Sequence, residues 1–495
     1  MLMKRQLIPL LCMALLALSC TGKQETFTNP LLAGDYPDPS VMRDGDDYYM
    51  THSSFEYQPG LTVLHSRDLI HWEPISYALH TYLGSVWAPD LCKVGDKYYI
   101  YFTVNPQRNF VVWADSPYGP WSDPIDLHVG QIDPGHLVDD EGQRWLFLSG
   151  GHRARLSDDG LSLVPGSLEK VYPGWPLPDD WIAEGMCLEG PKMKKIGRYY
   201  YYVSAEGGTA GPPTSHAVVV ARSESVDGPW ENSPYNPLVH TYDPADRWWS
   251  RGHGTLIDTP DGRWYVIYHS YENGFYSLGR QTLLEPVRLD DDGWFKPVKG
   301  LDVAAPMALP LPPAPLPSAH DRLSEFRIGL EWRFFKEFNP SRATVENGVL
   351  TLQAEGSSPA DAHPLLFIAG DHSYEVEVEA ELSGEVTAGL VLMYDEDHFV
   401  GTAFNPHQRL SYRHAKRHRR AESDTDHLWL RLRNDGHLIT YYYSEDGQNW
   451  HREPFGHDVS GYHHNTFHGF MSILPGVFAA GEGQAVFSKL TYRTL

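Results

Sequence analysis

Five segments of the chain repeat one pattern, a turn containing glycine followed by a strand rich in aromatic residues. They are Gly45-Asp-Asp-Tyr-Tyr-Met-Thr-His-Ser-Ser, Gly95-Asp-Lys-Tyr-Tyr-Ile-Tyr-Phe-Thr, Gly142-Gln-Arg-Trp-Leu-Phe-Leu-Ser, Gly197-Arg-Tyr-Tyr-Tyr-Tyr-Val-Ser and Gly262-Arg-Trp-Tyr-Val-Ile-Tyr-His-Ser, with glycines 50, 47, 55 and 65 residues apart. A weaker repeat follows three of them: Ser66-Arg-Asp-Leu-Ile-His-Trp72, Asp115-Ser-Pro-Tyr-Gly-Pro-Trp121 and Ser225-Val-Asp-Gly-Pro-Trp230. Each reads as the turn before an outer strand, with its tryptophan covering the edge. A unit of roughly 50 residues with several short strands and no amphipathic helix cannot bury both faces of its sheet until neighbouring units pack on it. The pattern therefore predicts an all-β chain whose residues 27–301 form a five-bladed β-propeller. A large β-sandwich is the alternative, but it does not require an aromatic hairpin at near-constant period.

Residues 302–319 break the pattern. Their proline density predicts a stiff connector with neither ladder nor helix. Beyond it, Ser373-Tyr-Glu-Val-Glu-Val-Glu-Ala-Glu-Leu alternates polar with apolar positions. Trp429 to Tyr443 reads as two strands joined by a turn at Asn434-Asp-Gly. Period-two alternation predicts a second all-β domain over 320–495, a β-sandwich.

The N-terminus has a different character. Lys4-Arg5 precedes an apolar run from Leu7 to Leu18, the layout of a secretory signal, and the run is too short to span a bilayer as a mature helix. Leu-Ala-Leu-Ser-Cys at 16–20 resembles the bacterial lipobox, which implies removal of residues 1–19 and a lipid on Cys20. The expectation is an exported bacterial lipoprotein, facing the periplasm or the outside of the cell and touching the membrane only through that anchor. With Cys12 removed, Cys92 and Cys187 remain; two cysteines make no disulfide framework and are read as packed thiols.

Composition narrows the function. The chain is 495 residues long, longer than one core usually organises, and 13% aromatic with 44 Gly and 38 Pro, a balance that favours β-structure with many turns. A formal net charge of -24 argues against a nucleic-acid partner.

The candidate chemistry is a set of carboxylates. Asp38 stands between prolines in Tyr-Pro-Asp38-Pro39, Asp133 in Ile132-Asp133-Pro134-Gly135, and Glu189 in Leu188-Glu189-Gly190-Pro191. All three precede an aromatic hairpin, so they are expected at equivalent blade positions, where corresponding strands converge on the propeller axis. Any one alone reads equally well as a solvated turn acid. Three converging acids suit inverting glycoside hydrolysis, which needs a protonated acid and an ionised base on opposite faces of the sugar. Glu184, five residues before Glu189, competes for the acid role.

These residues resemble glycoside hydrolase family 43, inverting enzymes on a five-bladed propeller that act on xylans, arabinans and related polymers. Further matches are Trp87-Ala-Pro-Asp90, Gly252-His253-Gly254-Thr255 and Leu278-Gly279-Arg280-Gln281-Thr282. The resemblance covers about residues 28–300 and implies Asp38 as general base, Glu189 as general acid, Asp133 as the residue that tunes the acid, and substrate contacts from Trp87, Asp90 and Arg280. Arg280 is expected on sugar hydroxyls or on the third acid, with a structural ion pair as the alternative. His253 matches an axial histidine found near calcium or a water cluster, although a lone histidine says little about a metal. No cofactor is required on this reading, and structural calcium stays open. The proline-rich seam and second domain resemble the subgroup of β-xylosidases and α-L-arabinofuranosidases with a C-terminal lectin-like, concanavalin-like sandwich. The implied substrate is a pentose-containing plant oligosaccharide or polysaccharide. Galactofuranosides, the retaining fructan-hydrolysing propellers and a non-catalytic glycan-binding propeller are the alternatives.

Overall fold

The computed structural model describes residues 25–316, 319–337 and 339–495, so the expected signal and Cys20 lie outside the described residues. Among the described residues no helix is long and apolar enough to cross a membrane.

Five antiparallel sheets make the propeller. Their innermost strands are Ser40–Asp44, Val86–Val94, Gly135–Val138, Glu189–Ile196 and Trp248–Asp258, here blades I to V in chain order. The aromatic repeats are the second strands, Asp47–Thr51, Lys97–Val104, Arg144–Leu148, Tyr199–Glu206 and Trp264–Glu272. Each is joined to the first by a tight turn whose glycine sits in the left-handed region, at φ between 57° and 82°. Their aromatic side chains fill the gaps between blades: Tyr101, Tyr201 and Tyr268 are almost wholly buried, and Trp72 and Trp121 close the outer edges.

The ring is shut by its own ends. Thr26–Phe27 pairs with Met307–Ala308, and Leu32 bridges Thr282 on the third strand of blade V. The expectation that the connector carries no ladder is corrected here. Met307, Ala308 and Leu309 lie between Pro306 and Pro310 with their N–H groups intact, and Met307, Leu309 and Leu311 pack on the same apolar cluster as Phe27. The end of the connector also enters a short helix, Ala319–Leu323.

The C-terminal domain is concanavalin-like. Two 21-residue strands, Ser373–Met393 and Leu474–Thr494, pair along nearly their whole length. The first half of Ser373–Met393 also pairs with His427–Asp435 and its second half with Phe399–Asn405, so one strand serves both halves of the domain. The hairpin read at Asn434-Asp-Gly turns one step later: Asp435 still pairs with Leu438. Blade I reaches into this domain, as Tyr57–Gln58 adds to strand Trp332–Phe335 and Phe55 and Tyr57 join its apolar core.

Candidate active site

In or just before each innermost strand the same backbone feature recurs, at Asp38-Pro39, Ala88-Pro89, Asp133-Pro134, Gly190-Pro191 and, in mid-strand, His253-Gly254. The first residue of each pair has positive φ, 57°, 30°, 58°, 58° and 53° in turn. In blades II, IV and V the ladder shifts register at this point. A left-handed residue before a proline that lacks an N–H interrupts pairing and re-aims the side chain. For residues other than glycine such backbone costs on the order of 1–3 kcal/mol each. Asp38 and Asp133 occupy this position, but Glu189 stands one residue earlier, in the place of Trp87 and Ile132. That corrects the expectation of three equivalent acids. Gly190 takes the left-handed place in blade IV because a Cβ there would come within 2.7 Å of the His253 imidazole.

Asp38 is buried and densely held. Its two oxygens accept from Arg280, Nη1 to Oδ1 at 3.0 Å and Nη2 to Oδ2 at 3.4 Å, and Oδ2 also accepts the Ser53 hydroxyl. Ser53 in turn accepts the Ala88 N–H at 2.6 Å, which ties the carboxylate to blade II. The Asp38 backbone N–H donates to Nδ1 of His269 at 3.1 Å, and His253 Nδ1 lies 3.4 Å from Oδ1. Burial pushes Asp38 upward, but the Arg280 guanidinium, His253 and His269 outweigh it and hold the carboxyl well below its usual range. Burial also drives both histidines down, to about 3 and about 4, so at neutral pH they are uncharged.

Asp133 and Glu189 have the opposite environment. Asp133 accepts the Gly190 N–H at 3.1 Å, and its own N–H donates to Thr103 at 2.9 Å. Burial raises Glu189 well above the ordinary glutamate range, and the neighbouring charges of Asp133 and Asp38 push it further. Burial and Asp38 likewise raise Asp133, against Lys192 and Arg280. The two acids bring oxygen atoms within 4.8 Å of each other, and burial with repulsion from neighbouring carboxylates raises both, Asp133 to about 7, which favours keeping a proton on the pair. The site therefore holds an ionised carboxylate and a protonated one in the same pocket, which is what acid and base catalysis on one bond demands.

Asp38, Asp133, Glu189, Trp87, His253 and Arg280 all line this pocket, and Phe470 from the C-terminal domain joins them. Phe470 meets the Trp87 ring edge-on at 5.7 Å, and the Arg280 guanidinium lies between Phe470 at 5.3 Å and Phe55 at 5.8 Å. Arg280 is thus paired with Asp38, the ion-pair alternative of the sequence reading, and not with Asp133. Asp90 is corrected as a substrate contact. Its oxygens are taken up by the His136 N–H at 2.7 Å, Lys192 at 3.2 Å and the Ser40 hydroxyl at 3.3 Å, a clamp between inner strands rather than a pocket wall. Glu184 is exposed and accepts the Ala210 N–H at 3.0 Å, outside the pocket lining. Cys92 and Cys187 are both free thiols.

The family profile of glycosyl hydrolases family 43 matches residues 27–295, and that of the beta xylosidase C-terminal concanavalin A-like domain matches residues 321–493. The chain belongs to glycosyl hydrolase family 43. Among its family-43 relatives, the non-reducing end alpha-L-arabinofuranosidase BoGH43B of Bacteroides ovatus is 35% identical over 347 residues, 65% of this chain and 63% of that one. The xylan 1,3-beta-xylosidase of a Vibrio species is 33% identical over 62% of this chain and 64% of its own. These matches span just under two thirds of the length of either relative. The crystal structure of the GH43 protein BlXynB from Bacillus licheniformis superposes with a TM-score of 0.84 at 27% identity, over 95% of this chain and all of that one.

The axial position does not suit directly bound calcium. Two groups bring three donor atoms within 4.8 Å of one another, Asp38 with His253 and His269, and Asp133 with Glu189 and His253. Calcium takes about six to eight oxygen ligands. Of the five residues in these groups two are histidines, and the Asp38 oxygens are already occupied by Arg280 and Ser53.

Several residues at the site escaped the sequence reading, among them Phe55, Thr209 and Phe470, which line the pocket, and Ser53 and His269, which contact Asp38. His269 and Ser53 carried a signal, because His-Ser interrupts the apolar run in both the first and fifth aromatic repeats. Thr209 and Phe470 lie in loops with no repeat or motif around them.

Proposed function

We propose that the chain is an inverting, exo-acting glycosidase that removes terminal xylose and/or arabinofuranose from plant polysaccharide fragments. The observation that carries this reading is the split between Asp38, held ionised by Arg280, and Glu189, held protonated beside Asp133. Asp38 takes a proton from water as the water attacks the anomeric carbon. Glu189 gives its proton to the departing oxygen, so one water is consumed and one glycosidic bond broken. Support for a short terminal sugar comes from the Phe470 and Trp87 rings, which meet edge-on in the pocket wall, and from the pentosidase names of the relatives. The reaction as proposed needs no metal, so activity should survive a chelator.

Proton NMR of early hydrolysis tests the mechanism: the inverted anomer should appear first, and a retained one would overturn the reading. A panel of aryl xylosides, arabinofuranosides and galactofuranosides assigns the sugar; turnover of none of them would leave a glycan-binding propeller. We infer also that the chain is exported and lipid-anchored at Cys20, on the support of the lipobox-like residues 16–20. A Cys20→Ser variant should lose labelling by radioactive palmitate and leave the membrane fraction.

A further inference from the structure

A second cavity, of about 400 Å³, lies on the flank of the propeller between blade I and the first strand of the C-terminal domain. This is the size range of small-molecule pockets. Its walls are mostly apolar, with Leu64, Ile70, Leu323 and Ile368 among them, but Arg333 also lines it. Arg333 sits in mid-strand and is only 7% exposed. Its neighbours are matched: Arg322 and Arg327 both donate to Glu331 Oε1, at 2.9 and 3.0 Å. Arg333 reaches no acceptor among the described residues, and its nearest polarisable partner is the Tyr57 ring, 5.5 Å from the guanidinium carbon. Asp35 lines the same cavity and its charge acts on Arg333, but burial raises that carboxyl to about 7 and no ion pair joins the two, so the guanidinium is only partly offset and its lost hydration depresses its pKa. Tyr36 lines the same cavity, and of the charges around its ring Arg333 acts on it most strongly.

We propose that this cavity binds a small monocarboxylate with an apolar, ring-sized body, its carboxylate forked on Arg333 and its body against the leucine and isoleucine wall. The charge of the occupant follows from the surroundings. One cation without an ion-pair partner calls for one negative charge, whereas Asp35, Glu331 and Asp371 on the same walls would repel a dianion. A fork of parallel N–H donors fits a carboxylate, and the apolar wall rewards a hydrophobic remainder over a sugar. The site is separate from the catalytic pocket, whose own arginine is already paired with Asp38.

Calorimetric titration of the full chain with benzoate, benzamide and inorganic phosphate tests this. Benzoate should bind, with benzamide and phosphate weaker by about tenfold or more, the usual worth of a charge-assisted hydrogen-bonded pair. Saturating xylose should leave the benzoate affinity unchanged. Arg333→Gln should weaken benzoate by about tenfold while keeping turnover of an aryl pentoside, and Ile70→Trp should fill the cavity and block binding. Equal binding of benzoate and benzamide, competition by xylose, or full benzoate affinity in a folded Arg333→Gln variant would each overturn the proposal, as would no binding at all. Should Arg333→Gln fail to fold, Ile70→Trp and the benzoate–benzamide difference in the unaltered protein decide it.

Discussion

The propeller and the C-terminal domain contribute to one pocket by different means. The propeller supplies every ionisable group: Asp38, Asp133 and His253 stand at the left-handed position repeated around the axis, Glu189 one residue before it, and Arg280 just ahead of the third strand of blade V. The C-terminal domain supplies one ring, Phe470, from the loop before its last long strand, backed by the His464 ring stacked at 4.0 Å. Proton transfer tolerates little positional error, so it resides where five sheets converge. A hydrophobic wall tolerates more, and a loop suffices for it.

If that division holds, variants of the two regions should fail differently. Asp38→Asn should cost on the order of 10²–10⁴-fold in kcat on every substrate, since no leaving group replaces the base; activity within tenfold of the parent would remove Asp38 from that role. Glu189→Gln should lose ~10²-fold on oligosaccharides and far less on a dinitrophenyl glycoside that departs unaided, while Glu184→Gln stays near the parent on both. An equal loss on both substrates for Glu189→Gln would deny it the acid role.

Asp133→Asn should act on the pH profile. The Asp133 charge helps to raise Glu189, so its removal lowers the Glu189 pKa and moves the alkaline limb of kcat/KM to lower pH. The acidic limb belongs to Asp38, which Arg280 holds low, and should stay in place. An unmoved alkaline limb would mean that Asp133 does not tune the acid. The smallest effect is expected from Phe470→Ala, a rise in KM of about tenfold or less with kcat retained, because it removes binding surface common to ground and transition states. A kcat loss as large as that of the carboxylate variants would erase the distinction between the two regions.

The same division explains what could be read from the chain beforehand. Five blades were legible because each needs a glycine turn and an aromatic second strand, and local needs repeat locally. Asp38 and Asp133 were legible through the proline that follows each. The register of Glu189 was not, since a one-residue offset depends on the clearance between Gly190 and His253, two blades' strands meeting at the axis. Asp90 was expected at the substrate through the family resemblance of Trp87-Ala-Pro-Asp90, and only its three partners from other blades reveal a clamp. Phe470 belongs to a loop whose position depends on how Tyr57–Gln58 docks on Trp332–Phe335, a contact between residues nearly 280 apart in the chain.

The closure of the ring by Thr26–Phe27 and Met307–Ala308 has a consequence for biosynthesis. Arg280, His269 and His253, which hold Asp38, all come from blade V, whereas Asp38 is made with blade I. While the chain is emerging, the earliest carboxylate waits some 240 residues for its counter-charge, and the N-terminal strand Thr26–Phe27 stays without its partner until the segment around residue 307 arrives. A nascent chain of this kind exposes an unpaired N-terminal strand and an uncompensated acid until near the end of the propeller. Ribosome-bound fragments ending before residue 280 should therefore be captured by chaperones, and release should coincide with synthesis of the connector.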